Sequence, residues 1–100
     1  LDGLKLDDVL SGIEHTNGTV VSSLLDPAAG LMVTQVTDQI FRECVVFTPP
    51  GRPCVCIEPY TCVTNAINLE PQGIDAGWRV LPVGGEIRTW FEIHVGLILV

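Results

Sequence analysis

The run Cys54-Val55-Cys56-Ile57-Glu58-Pro59-Tyr60-Thr61-Cys62 holds the residue best placed to do chemistry. Its apolar and β-branched residues predict a short strand over 54–58. Pro59 should stop that strand, because proline has no N–H to give to a ladder. Strand alternation puts Cys54, Cys56 and Glu58 on one face and Val55 and Ile57 on the other. Glu58 then stands at the strand's end, beyond a semi-apolar floor of two thiols. A carboxylate partly withdrawn from water becomes a stronger base and suits general acid–base work. The plainer reading is an exposed acid at the end of a strand, and spacing alone leaves both open.

The other titratable groups carry weaker signals. Asp7 and Asp8 are adjacent, and neighbours in an extended chain point opposite ways, so they are not a dyad. One can face a site while the other faces water, or both can cap a turn or helix. His94 lies beside Glu92 and Arg88 on a polar strand face and reads as solvated or salt-linked. His15 precedes a tight turn and reads as exposed. Trp90 can stack on a sugar ring or pack under a neighbouring strand. Arg52, in the turn Pro49-Pro50-Gly51-Arg52-Pro53, can meet an anion. There is no Gly-rich phosphate cradle and no serine nucleophile elbow.

The four cysteines (44, 54, 56 and 62) do not have zinc spacing, which needs two chelating pairs or a Cys/His set. The expectation is no metal and buried free thiols, hence a reducing compartment, the cytoplasm. Asn17-Gly18-Thr19 matches a glycosylation acceptor, but Asn-Gly is better explained as a tight turn.

The elements that must position these groups are mostly strands. Thr19–Leu25 and Leu31–Thr37 are β-branched and apolar, and the turn chemistry of Asp26-Pro27-Ala28-Ala29-Gly30 joins them as a hairpin. Cys44–Thr48 is a further strand, broken by the proline-rich turn. Residues 59–76 read as a long irregular loop with one helical turn near Thr64–Ile67. After the turn Pro82-Val83-Gly84-Gly85, residues 86–95 alternate strictly. Ile87, Thr89, Phe91, Ile93 and Val95 share one face, and Glu86, Arg88, Trp90, Glu92 and His94 share the other, as in a half-buried antiparallel strand. Leu6–Ile13 is the one further helical candidate. The pattern is all-β and sandwich-like.

Length and composition bound the rest. One hundred residues make one domain at most. The chain is 47% hydrophobic and 17% charged, the latter below the roughly 25% usual for soluble domains. That excess of apolar residues fits either a dense β core or a surface that faces more protein. The net charge of −7 and the pI near 4.4 come without any basic stripe. Nucleic acid and anionic membrane surfaces are therefore excluded as partners, and a neutral small molecule fits better. No run approaches the roughly 20 apolar residues needed to span a bilayer, and no secretory leader is recognisable.

Several segments, in order, resemble the aldose 1-epimerases (mutarotases), C-terminal part only. They are Leu1-Asp2-Gly3-Leu4-Lys5-Leu6-Asp7-Asp8-Val9, then Phe47-Thr48-Pro49-Pro50-Gly51-Arg52, Cys56-Ile57-Glu58-Pro59-Tyr60-Thr61 and Asn65-Ala66-Ile67-Asn68. Gly73-Ile74-Asp75-Ala76-Gly77, Val80-Leu81-Pro82 and Gly85-Glu86 follow. The resemblance covers nearly the whole chain. It implies a large antiparallel β-sandwich of galactose-mutarotase type, of which residues 1–100 are the C-terminal portion. It also implies a sugar substrate and no cofactor. The family's general base falls on Glu58. A substrate-binding aspartate falls on Asp7, with Asp8 the fallback if the register slips by one. Tyr60 stands where the family commonly has Gln. The acid histidine comes from an earlier part of the family's chain, and neither His15 nor His94 occupies its place. Family members are much longer, and this chain opens on Leu1 and not Met, so the expectation is a C-terminal fragment lacking the N-terminal part of its domain. Such a chain alone should have little activity and should aggregate through uncovered sheet edges.

Two alternatives accompany this reading. One is an epimerase of hexose 6-phosphates, with Arg52 the candidate phosphate contact. The other is a non-catalytic carbohydrate-binding β-sandwich, with Trp90, Tyr60 and Asp7 as sugar contacts and Glu58 as a hydrogen bonder.

Overall fold

Backbone turn chemistry sets out the first hairpin. Asn17 and Gly18 both take positive φ, 52° and 77°. Thr16 and Thr19 exchange backbone hydrogen bonds of 2.9 and 3.1 Å around them, the closed two-residue turn that Asn-Gly favours. In the computed structural model, which describes residues 3–98, the chain forms six strands and two short helical turns. The strands are β1 (Asp7–Leu10), β2 (Thr19–Asp26), β3 (Leu31–Asp38), β4 (Glu43–Phe47), β5 (Cys56–Tyr60) and β6 (Phe91–Leu97). At 40% strand and 7% helix, the protein is all-β. Among the described residues no helix is long and apolar enough to cross a membrane.

The strands form two antiparallel sheets in two compact units. The first unit comprises residues 3–13 with Phe41–Ile87, and its sheet has the order β1-β4-β5. The second comprises Glu14–Ile40 with residues 88–98, and its sheet has the order β2-β3-β6.

In the first unit β4 is central, and Glu43, Cys44 and Val45 are buried along it. Between Tyr60 and Gly73 lie a single helical turn, α1 (Ala66–Leu69), and a 3-10 turn at Glu70–Gln72. Ala66 is buried there, as is Ala76 just beyond Gly73. The expected helical turn near Thr64–Ile67 is thus present, displaced toward Leu69. The candidate helix at Leu6–Ile13 is instead β1. Its Asp7–Leu10 pair in register with Phe47–Cys44, and the Leu6 N–H donates to the Thr48 hydroxyl at 2.8 Å. An open edge on β4 satisfies these backbone groups better than a weakly periodic helix would.

In the second unit the hairpin β2–β3 pairs from Thr19↔Asp38 to Asp26↔Leu31. Its loop is closed by Asp26 Oδ1, which accepts the Ala29 N–H at 3.1 Å. β6 runs from Phe91 to Leu97, not over 86–95. The cause is the length of β3. It ends at Asp38, whose N–H donates to the Trp90 carbonyl and whose Oδ2 accepts from Thr89. Residues before Trp90 therefore have no further β3 to pair with. The alternation persists along β6, but both of its faces are exposed rather than one half-buried.

Candidate functional site

The strand carrying Glu58 is Cys56–Tyr60, not 54–58. Glu58 is therefore at mid-strand, and Pro59 sits inside the ladder opposite Cys44. Proline is tolerated there because β5 is an edge strand, where one side of the backbone has no strand to bond. Cys54 lies outside the strand and is exposed, so it is not part of the floor expected beneath Glu58. None of the four cysteines is in a disulfide; Cys44 is buried and Cys56 and Cys62 are half-buried, so the expectation of buried thiols fails at Cys54.

Directly opposed residues in an antiparallel pair share a face. The rows Asp7–Phe47–Cys56 and Val9–Val45–Glu58 therefore lie on one side of the first sheet, together with the pair Glu43–Tyr60. Asp7 and Glu58, distant in sequence, come to the same face, two interstrand spacings across β4 and two residues along it, or roughly 12 Å apart. Asp8 stands in the row Asp8–Val46–Ile57, on the opposite side. The pairing thus gives Asp7, and not Asp8, to the face of Glu58.

Glu58 is half-buried, with Val45 buried beside it. The Tyr60 hydroxyl donates to Glu58 Oε2 at 3.1 Å. The phenol is held above the ordinary tyrosine range. Its hydrogen bond to Glu58 is the largest cause, followed by the charge of Glu58, partial burial and the charge of Asp7. Asp7, Glu58 and Tyr60 therefore share one electrostatic neighbourhood.

A second cluster supports the same end of the sheet. Glu43 is buried opposite Tyr60, and its Oε1 accepts from Arg42 Nε at 2.9 Å. Arg42 also donates to Asp75 Oδ1 at 2.8 Å and to the Asp75 carbonyl at 3.1 Å. The Arg42 hydrogen bond, then its charge, holds the Asp75 carboxyl below the usual carboxylate range. Asp75, then Glu43, raises the Arg42 guanidinium in turn. The following loop is tied by Glu70 Oε1, which accepts the N–H groups of Ala76 and Trp78, and by the Val63 N–H donating to the Ala76 carbonyl.

The remaining candidates lie elsewhere. His15 is exposed in the second unit. His94, also there, contacts Glu92 at 2.9 Å, the salt-linked arrangement expected of it. Trp90 belongs to the second unit as well and is not on the sheet of Glu58. Arg52 is exposed in its turn, which is closed by its N–H donating to the Pro49 carbonyl. Among the described residues no three His, Cys, Asp or Glu side chains group so as to hold a metal ion.

No protein-family model matches this chain, and no solved structure matches it at a significant level.

Sequence reasoning treated Tyr60 as a possible sugar contact and as a departure from the family's usual Gln, and it missed the Glu43–Arg42–Asp75 cluster. The i, i+2 spacing of Glu58 and Tyr60 was a usable signal, since it fixes a shared face once both are in one strand. A buried acid such as Glu43 leaves no comparable trace, because nothing in its local sequence distinguishes it from an exposed one.

Proposed function

We propose that this chain is the base-bearing part of an aldose 1-epimerase of β-sandwich type, which interconverts the α and β anomers of a hexose. The observation that carries the reading is the shared face of Glu58 and Asp7. One carboxylate is half-buried and suited to take a proton, and the other is exposed and suited to accept hydrogen bonds from sugar hydroxyls. The ordered segment resemblance names the same two residues for the same two roles.

The chemistry is balanced without a cofactor. Glu58 takes the anomeric hydroxyl proton, and the electron pair of that O–H bond becomes the C1=O1 π bond. The bond from C1 to the ring oxygen breaks, and the ring oxygen accepts a proton from an acid on the far side of the sugar. Rotation about C1–C2 and reclosure return both protons and give the other anomer. On this reading the acid is a histidine from polypeptide beyond these 100 residues, and the site works in the cytoplasm.

The substrate is a neutral sugar. Asp7 and Glu58 make the face acidic, and Arg42 is engaged by two carboxylates, so a sugar phosphate would meet repulsion there. Polarimetry of freshly dissolved α-glucose or α-galactose tests the activity, with glucose 6-phosphate as the comparison. The full-length protein should accelerate mutarotation of the free sugar more than that of the phosphate. No acceleration of either would overturn the proposal, and sugar binding without acceleration would favour a non-catalytic carbohydrate-binding role.

A further inference from the structure

We propose that Tyr60 is a positioning residue for Glu58: its hydroxyl fixes Oε2 and thereby leaves Oε1 as the atom that meets the substrate hydroxyl. The inference rests on Glu58 being the base, but the contact behind it is a feature of the strand itself. Glu58 and Tyr60 are two residues apart on β5 and share a face. The hydroxyl-to-carboxylate distance is 3.1 Å.

Three features make the contact a device and not an incidental pairing. Pro59 between the two residues has its φ locked by the pyrrolidine ring, so the spacing of their Cα atoms is stiff. Among the described residues β5 is an edge strand with no further strand on its outer side, so a glutamate there would otherwise sample several rotamers. Tyr60 is itself half-buried and stands opposite Glu43, which is buried and anchored through Arg42 to Asp75. The order thus runs from the buried Glu43 region, through a rigid ring, to one oxygen of an otherwise mobile carboxylate.

During turnover the proton arrives at Oε1 and later leaves from it. Tyr60 keeps its own proton throughout and donates to Oε2 in both states of Glu58. It holds Oε1 in line with the anomeric O–H, and small misplacements of a base are costly in rate.

The test uses the fact that the chain has one tyrosine, so the ultraviolet tyrosinate band reports Tyr60 alone. The band is titrated in the wild-type chain, E58Q and D7N, with circular dichroism confirming the fold at each pH. The wild-type phenol should titrate above free tyrosine, E58Q should bring it down, and D7N should bring it down by less. Identical titrations in wild type and E58Q would overturn the contact. The second measurement is Tyr60→Phe in the full-length protein, which keeps the ring and removes only the hydroxyl. It should lower kcat on the order of 10-fold with KM nearly unchanged. Unchanged kcat, or a rise in KM alone, would overturn the positioning role, and this arm decides should alkaline pH unfold the chain before the phenol titrates. A wild-type protein that exchanges no anomers overturns the base assignment instead, whatever the titration shows, so the two failures are told apart.

Discussion

Glu43 is the residue whose environment most constrains the site. Its side chain is 1% exposed, and Oε1 is paired with Arg42, while Oε2 has no hydrogen-bond partner. A buried carboxylate in that state depends on its one cation, and breaking such a pair from one side is more damaging than replacing both members. Arg42→Met should therefore destabilise the protein by about 3 kcal/mol, the low end for a buried pair, because Arg42 is itself 34% exposed. The double variant R42M/E43L should recover most of that loss. Urea unfolding of the three proteins checks this, and a double variant no better than R42M would contradict it. Asp75 behaves differently because it is solvent-exposed. Its folded carboxyl is depressed by Arg42, so the pair contributes stability above the unfolded aspartate value of about 3.9. That contribution is lost as pH falls through the lower folded value. The stability gap between wild type and Asp75→Asn should accordingly be open at neutral pH and close in acid. A gap independent of pH would refute the ion pair.

Elements place these residues, and the loop after β5 is held by a close approach at Gly77. Its φ is +78°, and a Cβ there would lie 2.8 Å from Arg42 Cδ and 3.0 Å from the Thr61 carbonyl oxygen. Gly77→Ala should cost at least about 1–2 kcal/mol from the left-handed backbone alone. It should also push Arg42 away from Glu43, so its cost should shrink in an R42A background, where no δ atom remains to be met. Equal costs in both backgrounds, measured by urea unfolding, would contradict the contact. The elements differ in how plainly their residues announced them. The hairpin β2–β3 was legible because Asp26–Gly30 carries turn chemistry that acts locally, as Asn17-Gly18 does for the tight turn before β2. β5 was legible as a strand but not in its bounds. Proline stops a central strand and is tolerated in an edge strand, and position within a sheet is a long-range property. β1 was misread as a helix for the same reason, since its partner β4 is distant in sequence. The shared face of Asp7 and Glu58 likewise follows only once the pairing of β1, β4 and β5 is known.

For the whole molecule, the balance between charge and exposed apolar surface decides behaviour in solution. Phe91, Ile93, Val95 and Leu97 alternate along one face of β6 and are 57–70% exposed. The net charge of −7 opposes association, but it is screened beyond about 10 Å at 0.1 M salt. An edge strand with a continuous apolar face is a site of self-association. The 100-residue chain should therefore sediment as larger species as salt rises, and F91T/I93T/V95T should abolish that trend. A wild-type chain that stays monomeric at high salt, where its charge is screened, would contradict this. The same acidic balance fits a neutral sugar on the face of Asp7 and Glu58, and it is the chemistry at Glu58 on which the account turns. The most direct measurement is magnetisation-exchange NMR between the α and β anomers of glucose or galactose, with full-length wild type and Glu58→Gln compared at equal sugar occupancy. The account predicts that E58Q binds sugar but loses about 10²–10⁴-fold in exchange rate, the contribution typical of a general base. Exchange at a near-normal rate in E58Q would contradict it.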